Sequence, residues 1–188
     1  MSKIINIKAR QVFDSRGIPT IQSEIFLDDG HTASATAPSG ASTGTYEAFE
    51  LRDVENKKYL GKGVQKAIDH VNGEILKALL NFSIEDQNKI DNRLIDLDGT
   101  KQKKRLGANA TLSVSLAANK AAALSKKIPL YKNMGNNNFK TLPVPLMNII
   151  NGGAHANNSL TIQEFMIRPD KANTFKEAIK ICFLVIQK

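Results

Sequence analysis

The chain has 188 residues, 41% of them apolar and 23% charged, with 26 lysines and arginines against 18 aspartates and glutamates and a formal charge of +8. That composition is that of a soluble globular protein, long enough for one ordinary domain or for a small domain plus part of a second. No apolar run approaches membrane-spanning length, and the single cysteine, Cys182, excludes an internal disulfide and suits a reducing compartment. The first residues lack both a long apolar core and a small-residue cleavage site, so no secretory signal is expected.

The positive charge gathers at Lys57-Lys58, at Lys101 with Lys103-Lys104-Arg105, and at Lys126-Lys127. No aromatic residues interleave with these clusters, as a stacking platform for nucleic acid requires. They read as a solvated surface, and no nucleic-acid partner is expected.

In chain order, residues 4–13 predict a first strand with Ile5, Ile7 and Ala9 on one face. Asp14-Ser15-Arg16-Gly17 is a turn, and Pro19 opens a second strand through Leu27. Asp28-Asp29-Gly30 reads as a hairpin turn into a third strand from about His31 to Ala37. Three strands joined by short turns make an antiparallel meander. Pro38-Ser39-Gly40-Ala41-Ser42-Thr43-Gly44-Thr45 follows, small and hydroxyl-rich; it cannot bury itself and is expected to be mobile. It lacks the spacing and the lysine of a Walker loop.

Helices come next. Val64, Ile68, Val71, Ile75 and Leu79 form an apolar stripe. Ser83 reads as the cap of a helix with Ile90, Leu94 and Leu97 inward, ended by Asp98-Gly99. Asn109 reads as the cap of an Ala-rich helix to about Lys126, with Leu112, Leu116 and Ala123 inward. His31 and His70 carry no motif. The reading so far is an α+β domain over residues 1–130, a three-stranded antiparallel meander followed by helices, then a linker over 131–141.

From residue 142 the pattern changes. Leu146 to Ile150 predict a buried strand that ends at Asn151-Gly152-Gly153, with His155 just past the turn. A second buried strand, Ile162 to Ile167, carries Gln163 and Glu164. An ionisable side chain inside a buried strand is costly unless it is paired or working. Taken separately, each residue has a plain structural alternative: a surface histidine after a turn, and a solvent-facing glutamate. A helix from about Asn173 places Phe175, Ile179, Cys182 and Ile186 on one face.

Several stretches, in this order and spacing, resemble the enolase family: Asp14-Ser15-Arg16-Gly17 with Pro19-Thr20, Pro38 to Gly44, Glu50-Leu51-Arg52-Asp53, Tyr59 to Val64, Gly107 to Ala110, Leu142 to Pro145, Asn148 to Ala156 and Gln163 to Met166. The resemblance implies an α+β cap domain, then the first β-β-α of a modified, TIM-like β/α barrel over 142–188. It implies Mg2+-dependent, reversible dehydration of 2-phosphoglycerate to phosphoenolpyruvate in glycolysis, with two metal ions per site. By position Ser42 resembles the serine that binds the second magnesium, with Gly40, Ala41 and Thr43 in the same lid. His155, Gln163 and Glu164 match residues around the substrate. Arg10 and Arg16 resemble positions near a subunit interface, and the intact family forms homodimers or larger assemblies. A cytoplasmic location follows, with a secondary place at the cell surface as for some members.

Two positions depart from the family: Ile18 replaces an asparagine, and Gln22 a glutamate of the dimer contact. The family's catalytic lysine, its proton-donating glutamate and the three carboxylates of the first magnesium lie beyond the barrel's first helix, so no catalytic residue is assigned here. These residues are therefore expected to be the N-terminal portion of an enolase, inactive alone. Half of a split enzyme, or a non-catalytic surface or binding protein, stand as alternatives.

Overall fold

A computed structural model describes residues 1–40, 43–135 and 141–188. It divides into two units, Met1–Phe139 and Lys140–Lys188. The first opens on β1 (Ile4–Phe13), β2 (Pro19–Leu27) and β3 (Thr32–Thr36). They pair antiparallel in the order β1-β2-β3, with Ile7 opposite Ile25 and Ile25 opposite Ala33. The meander predicted from the alternating pattern is therefore present.

One face differs. The pairing of β1 slips between Ile4 and Asn6, which turns Ile4 and Ile7 both into the core and leaves Ile5 51% exposed. An extra residue in one strand breaks the two-residue alternation at that point. Ile5 therefore does not share the face of Ile7 and Ala9.

The stripe from Val64 to Leu79 is buried along its whole length. It runs through α1 (Gln65–His70), one widened π-type turn (Val71–Ile75) and α2 (Leu76–Leu79). Apolar residues spaced four apart drift around an ordinary 3.6-residue helix, and a wider turn takes up the drift. Asn72, in that turn, clamps the edge of the sheet: its Oδ1 accepts the Ala9 amide at 2.7 Å and its Nδ2 donates to the Ala9 carbonyl at 3.2 Å.

Helix α3 (Gln87–Asp98) buries Ile90 and Leu94 as expected, but its cap is Asp86, whose side chain accepts the Lys89 amide at 3.1 Å. Ser83 instead accepts from Glu85 in the preceding turn. Helix α4 (Ala108–Ser125) crosses β2 and β3. Its inward residues are Ala110, Val114, Ala117, Ala118 and Ala121, while Leu112 and Leu116 are 42% and 37% exposed. Small side chains let the helix backbone approach the sheet, close enough for the buried hydroxyls of Ser23 and Ser113 to meet at 2.6 Å. The leucines are thereby turned outward, against expectation. A short helix, α5 (Leu130–Gly135), stands where the sequence pattern reads as linker.

In the second unit β4 (Met147–Asn151) pairs antiparallel with β5 (Glu164–Ile167), and α6 (Phe175–Ile186) follows. This is the strand, strand, helix order of the start of the barrel. Neither strand is buried, and in α6 only Ala178 and Cys182 are, while Phe175, Ile179 and Ile186 stay exposed. Thr174 caps α6 by accepting the Glu177 amide at 3.1 Å, and Glu177 reaches back to the Asn173 amide at 2.9 Å. Among the described residues no helix is long and apolar enough to cross a membrane.

Candidate active site

Gly152 is the pivot of the second unit. Its amide donates to the Gln163 carbonyl at 3.1 Å, and the Gly153 amide donates to the Leu160 carbonyl at 2.9 Å. A Cβ on Gly152 would stand 2.5 Å and 2.6 Å from the carbonyl oxygens of Ile162 and Leu160, so the close approach of the two segments requires glycine. Side-chain amides tie the same turn: Asn148 donates to Asn151, and Asn158 donates to the Asn151 carbonyl at 3.0 Å.

That turn places His155, at the end of the short 3-10 turn Gly153–His155, against the start of β5. Its Nδ1 lies 3.0 Å from Glu164 Oε1, and its Nε2 lies 3.0 Å from Gln163 Nε2. The three residues singled out in the sequence therefore form one hydrogen-bonded chain, Glu164–His155–Gln163. The neutral imidazole with its proton on Nδ1 satisfies both ends. Nδ1–H donates to the carboxylate, and the Nε2 lone pair accepts from the amide. Glu164 is not enclosed in a buried strand as expected; its side chain is 37% exposed and that of His155 21%. The imidazole, rather than burial, is its partner.

The first unit holds Gly40. Arg16 donates through Nη2 to the Ser39 carbonyl at 2.9 Å and the Gly40 carbonyl at 3.5 Å. Asp14 sets the turn that aims Arg16, accepting the amides of Arg16 and Ile18 at 2.8 Å each. The Ile18 amide, opposed by partial desolvation and reinforced by Arg16, holds the Asp14 carboxyl below its ordinary value. Arg10 pairs with Glu24 on the neighbouring strand at 2.7 Å. Ala41 and Ser42 lie outside the described residues.

Magnesium prefers six oxygen ligands in near-octahedral array. Among the described residues no group of three or more His, Cys, Asp or Glu side chains is placed to hold a metal ion. Glu164 offers one carboxylate, and one of its oxygens is taken by His155. The described residues therefore do not by themselves fit that ion.

Comparison with known proteins matches both units. Residues 4–134 match the model of the enolase N-terminal domain, and residues 139–188 match that of the enolase C-terminal TIM barrel domain. The chain is 64% identical over 187 residues to the enolase of Pelagibacter ubique (strain HTCC1062), covering 99% of this chain and 44% of that protein. It thus spans less than half the length of the curated relative it matches. The meander, the helices packed on it and the β-β-α unit that follows are the parts those two family models describe, and the chain belongs to the enolase family.

Proposed function

We propose that the protein carrying this chain catalyses the Mg2+-dependent, reversible dehydration of 2-phosphoglycerate to phosphoenolpyruvate, as a cytoplasmic lyase of glycolysis working as a homodimer or larger assembly. The observation that carries the reading is the Glu164–His155–Gln163 chain, supported by membership of the family. A leaving hydroxyl needs polar groups fixed in advance around it. Both imidazole nitrogens are engaged within the chain, so His155 acts by fixing its neighbours, and Glu164 Oε2 and the remaining amide groups of Gln163 are the polar groups held for substrate.

In this proposal Gln163 and Glu164, held by His155, contact substrate, Gly40 and Ala41 contribute backbone groups, and Ser42 binds a metal ion. The remaining magnesium ligands, the general base and the proton donor are not among these 188 residues. A polypeptide limited to them is accordingly proposed to be inactive.

The test is phosphoenolpyruvate absorbance after adding 2-phosphoglycerate and Mg2+. The 188-residue chain alone is expected to show no turnover. A full-length enolase carrying these residues is expected to turn over, and His155→Ala to lower its kcat/KM by about a hundredfold or more. Turnover by the 188-residue chain, freed of host enolase, would overturn the account of the missing groups. Full activity of the His155 variant would overturn the role given to the imidazole.

A further inference from the structure

Glu50-Leu51-Arg52-Asp53 is neither helix nor strand, yet every residue of it is held. Asn109 does not cap α4, as the sequence suggests. It lies one residue inside the helix and clamps Leu51, accepting its amide at 3.1 Å and donating to its carbonyl at 3.1 Å. Asp53 is buried and caps α1 from outside, accepting the amides of Gln65 at 2.6 Å and Lys66 at 3.1 Å.

Between them Arg52, with its side chain 15% exposed, spreads over four acceptors. Through Nη1 it donates to the carbonyls of Pro19 and Lys62. Through Nη2 it donates to Glu50 Oε1 at 2.6 Å and to Ser39 Oγ at 3.2 Å. The Ser39 hydroxyl in turn donates to Glu50 Oε2 at 3.1 Å. With Arg16 on its carbonyl, Ser39 is gripped at both ends at the start of the small, hydroxyl-rich stretch.

A part-buried ion pair is weak support for stability, because desolvation and solvent screening offset much of its attraction. What this one supplies is geometry. A guanidinium reaches divergent acceptors in a fixed fork, which a lysine ammonium cannot. We propose that Arg52, acting with Glu50, is a positioning residue. It fixes the Ser39 side chain and, with Arg16 on the carbonyls of Ser39 and Gly40, sets the position of those two residues. Its value to catalysis rests on the function proposed above; the clamp itself rests on the contacts.

The test is backbone 15N relaxation on the 188-residue chain, comparing wild type with Arg52→Lys, Ser39→Ala and, as a control elsewhere in the unit, Arg105→Lys. In wild type the amides of Ser39 and Gly40 are expected to show order parameters of about 0.85, falling to about 0.6 or below in Arg52→Lys and Ser39→Ala. The amides of β2, and those of Ser39 and Gly40 in the Arg105 control, are expected to stay rigid. Ser39→Ala removes only the two hydroxyl contacts, with Arg52 and Glu50, so it decides the matter if Arg52→Lys loosens the whole unit. Unchanged order at Ser39 and Gly40 in Ser39→Ala would overturn the clamp. In a full-length enolase carrying these residues, Arg52→Lys is expected to lower kcat about tenfold, with KM for 2-phosphoglycerate nearly unmoved, as loss of hydrogen bonds to a charged group implies. An unchanged kcat would overturn the catalytic part. No turnover in wild type would overturn the proposed function and leave the relaxation data to decide the clamp.

Discussion

Asp98 is buried, and three donors meet its carboxylate: the amide and hydroxyl of Thr100 and the amide of Leu106 at 2.7 Å. Burial pushes this carboxyl up; the Thr100 hydroxyl and the Leu106 and Thr100 amides together outweigh it and leave it below the ordinary 3.8. Asp29 moves the same way, held down by the hydroxyls of Ser125 and Ser2 and the His31 amide. A carboxyl depressed in the folded state stabilises it above the unfolded value, and that contribution is lost as pH falls through the folded one. Stability is therefore expected to decline below about pH 5, with a shallower decline in Asp98→Asn, as denaturant melts across pH would show. At neutral pH the same variant should cost about 1–3 kcal/mol, the size of a carboxylate's lost hydrogen bonds. Gly152→Ala acts in the other unit. Its methyl has no room between two backbone oxygens, so the β4–β5 pairing should lose about 1–3 kcal/mol, read as faster hydrogen exchange at Phe165 and Ile167.

Among the elements, the widened turn between α1 and α2 contains Gly73, whose backbone is helical and whose missing Cβ would meet nothing within 4 Å. Gly73→Ala should stabilise the first unit by about 0.5–1 kcal/mol, as a thermal melt would report. Thr174→Ala should remove about 1 kcal/mol from α6 and lower its helicity by circular dichroism. These elements also show what could be read from the sequence. The stripe from Val64 to Leu79 was legible because its period survives any small change in twist. The hairpins were legible from their turn residues. The slip at Ile5 was not, because one extra residue leaves no mark in an apolar run of Ile4-Ile5. The outward turn of Leu112 and Leu116 was hidden because close approach to a sheet favours alanine over leucine, which a count of apolar residues ranks the other way. Asp86 rather than Ser83 caps α3 because the turn at Ser83 ends before the helix begins. At the candidate site, His155, Gln163 and Glu164 were legible as residues. Their connection was not, since it depends on the tight crossing at Gly152. Arg52 and Glu50 were legible only as part of a motif; their shared hold on Ser39 comes from chain folding.

For the molecule as a whole, burial is uneven. The core gathers Ile4, Ile25, Val71, Leu79, Ile90 and Val114 into one cluster in the first unit, while the second buries few side chains. Residues 1–139 expressed alone should melt in one cooperative transition, and residues 140–188 alone should show none, which temperature-ramped circular dichroism would test. A last consequence follows from the Asn72 clamp. A strand edge with free N–H and C=O groups is a template on which another chain can grow. On β1 two positions are already occupied, Ala9 by Asn72 and Ile4 by Asn81 and Phe82. The opposite edge, β3, has only five residues, and Lys120 already donates to its Ser34 carbonyl at 3.2 Å. Growth of another chain along the long edge would therefore have to displace the Asn72 side chain and the Asn81–Phe82 turn from it.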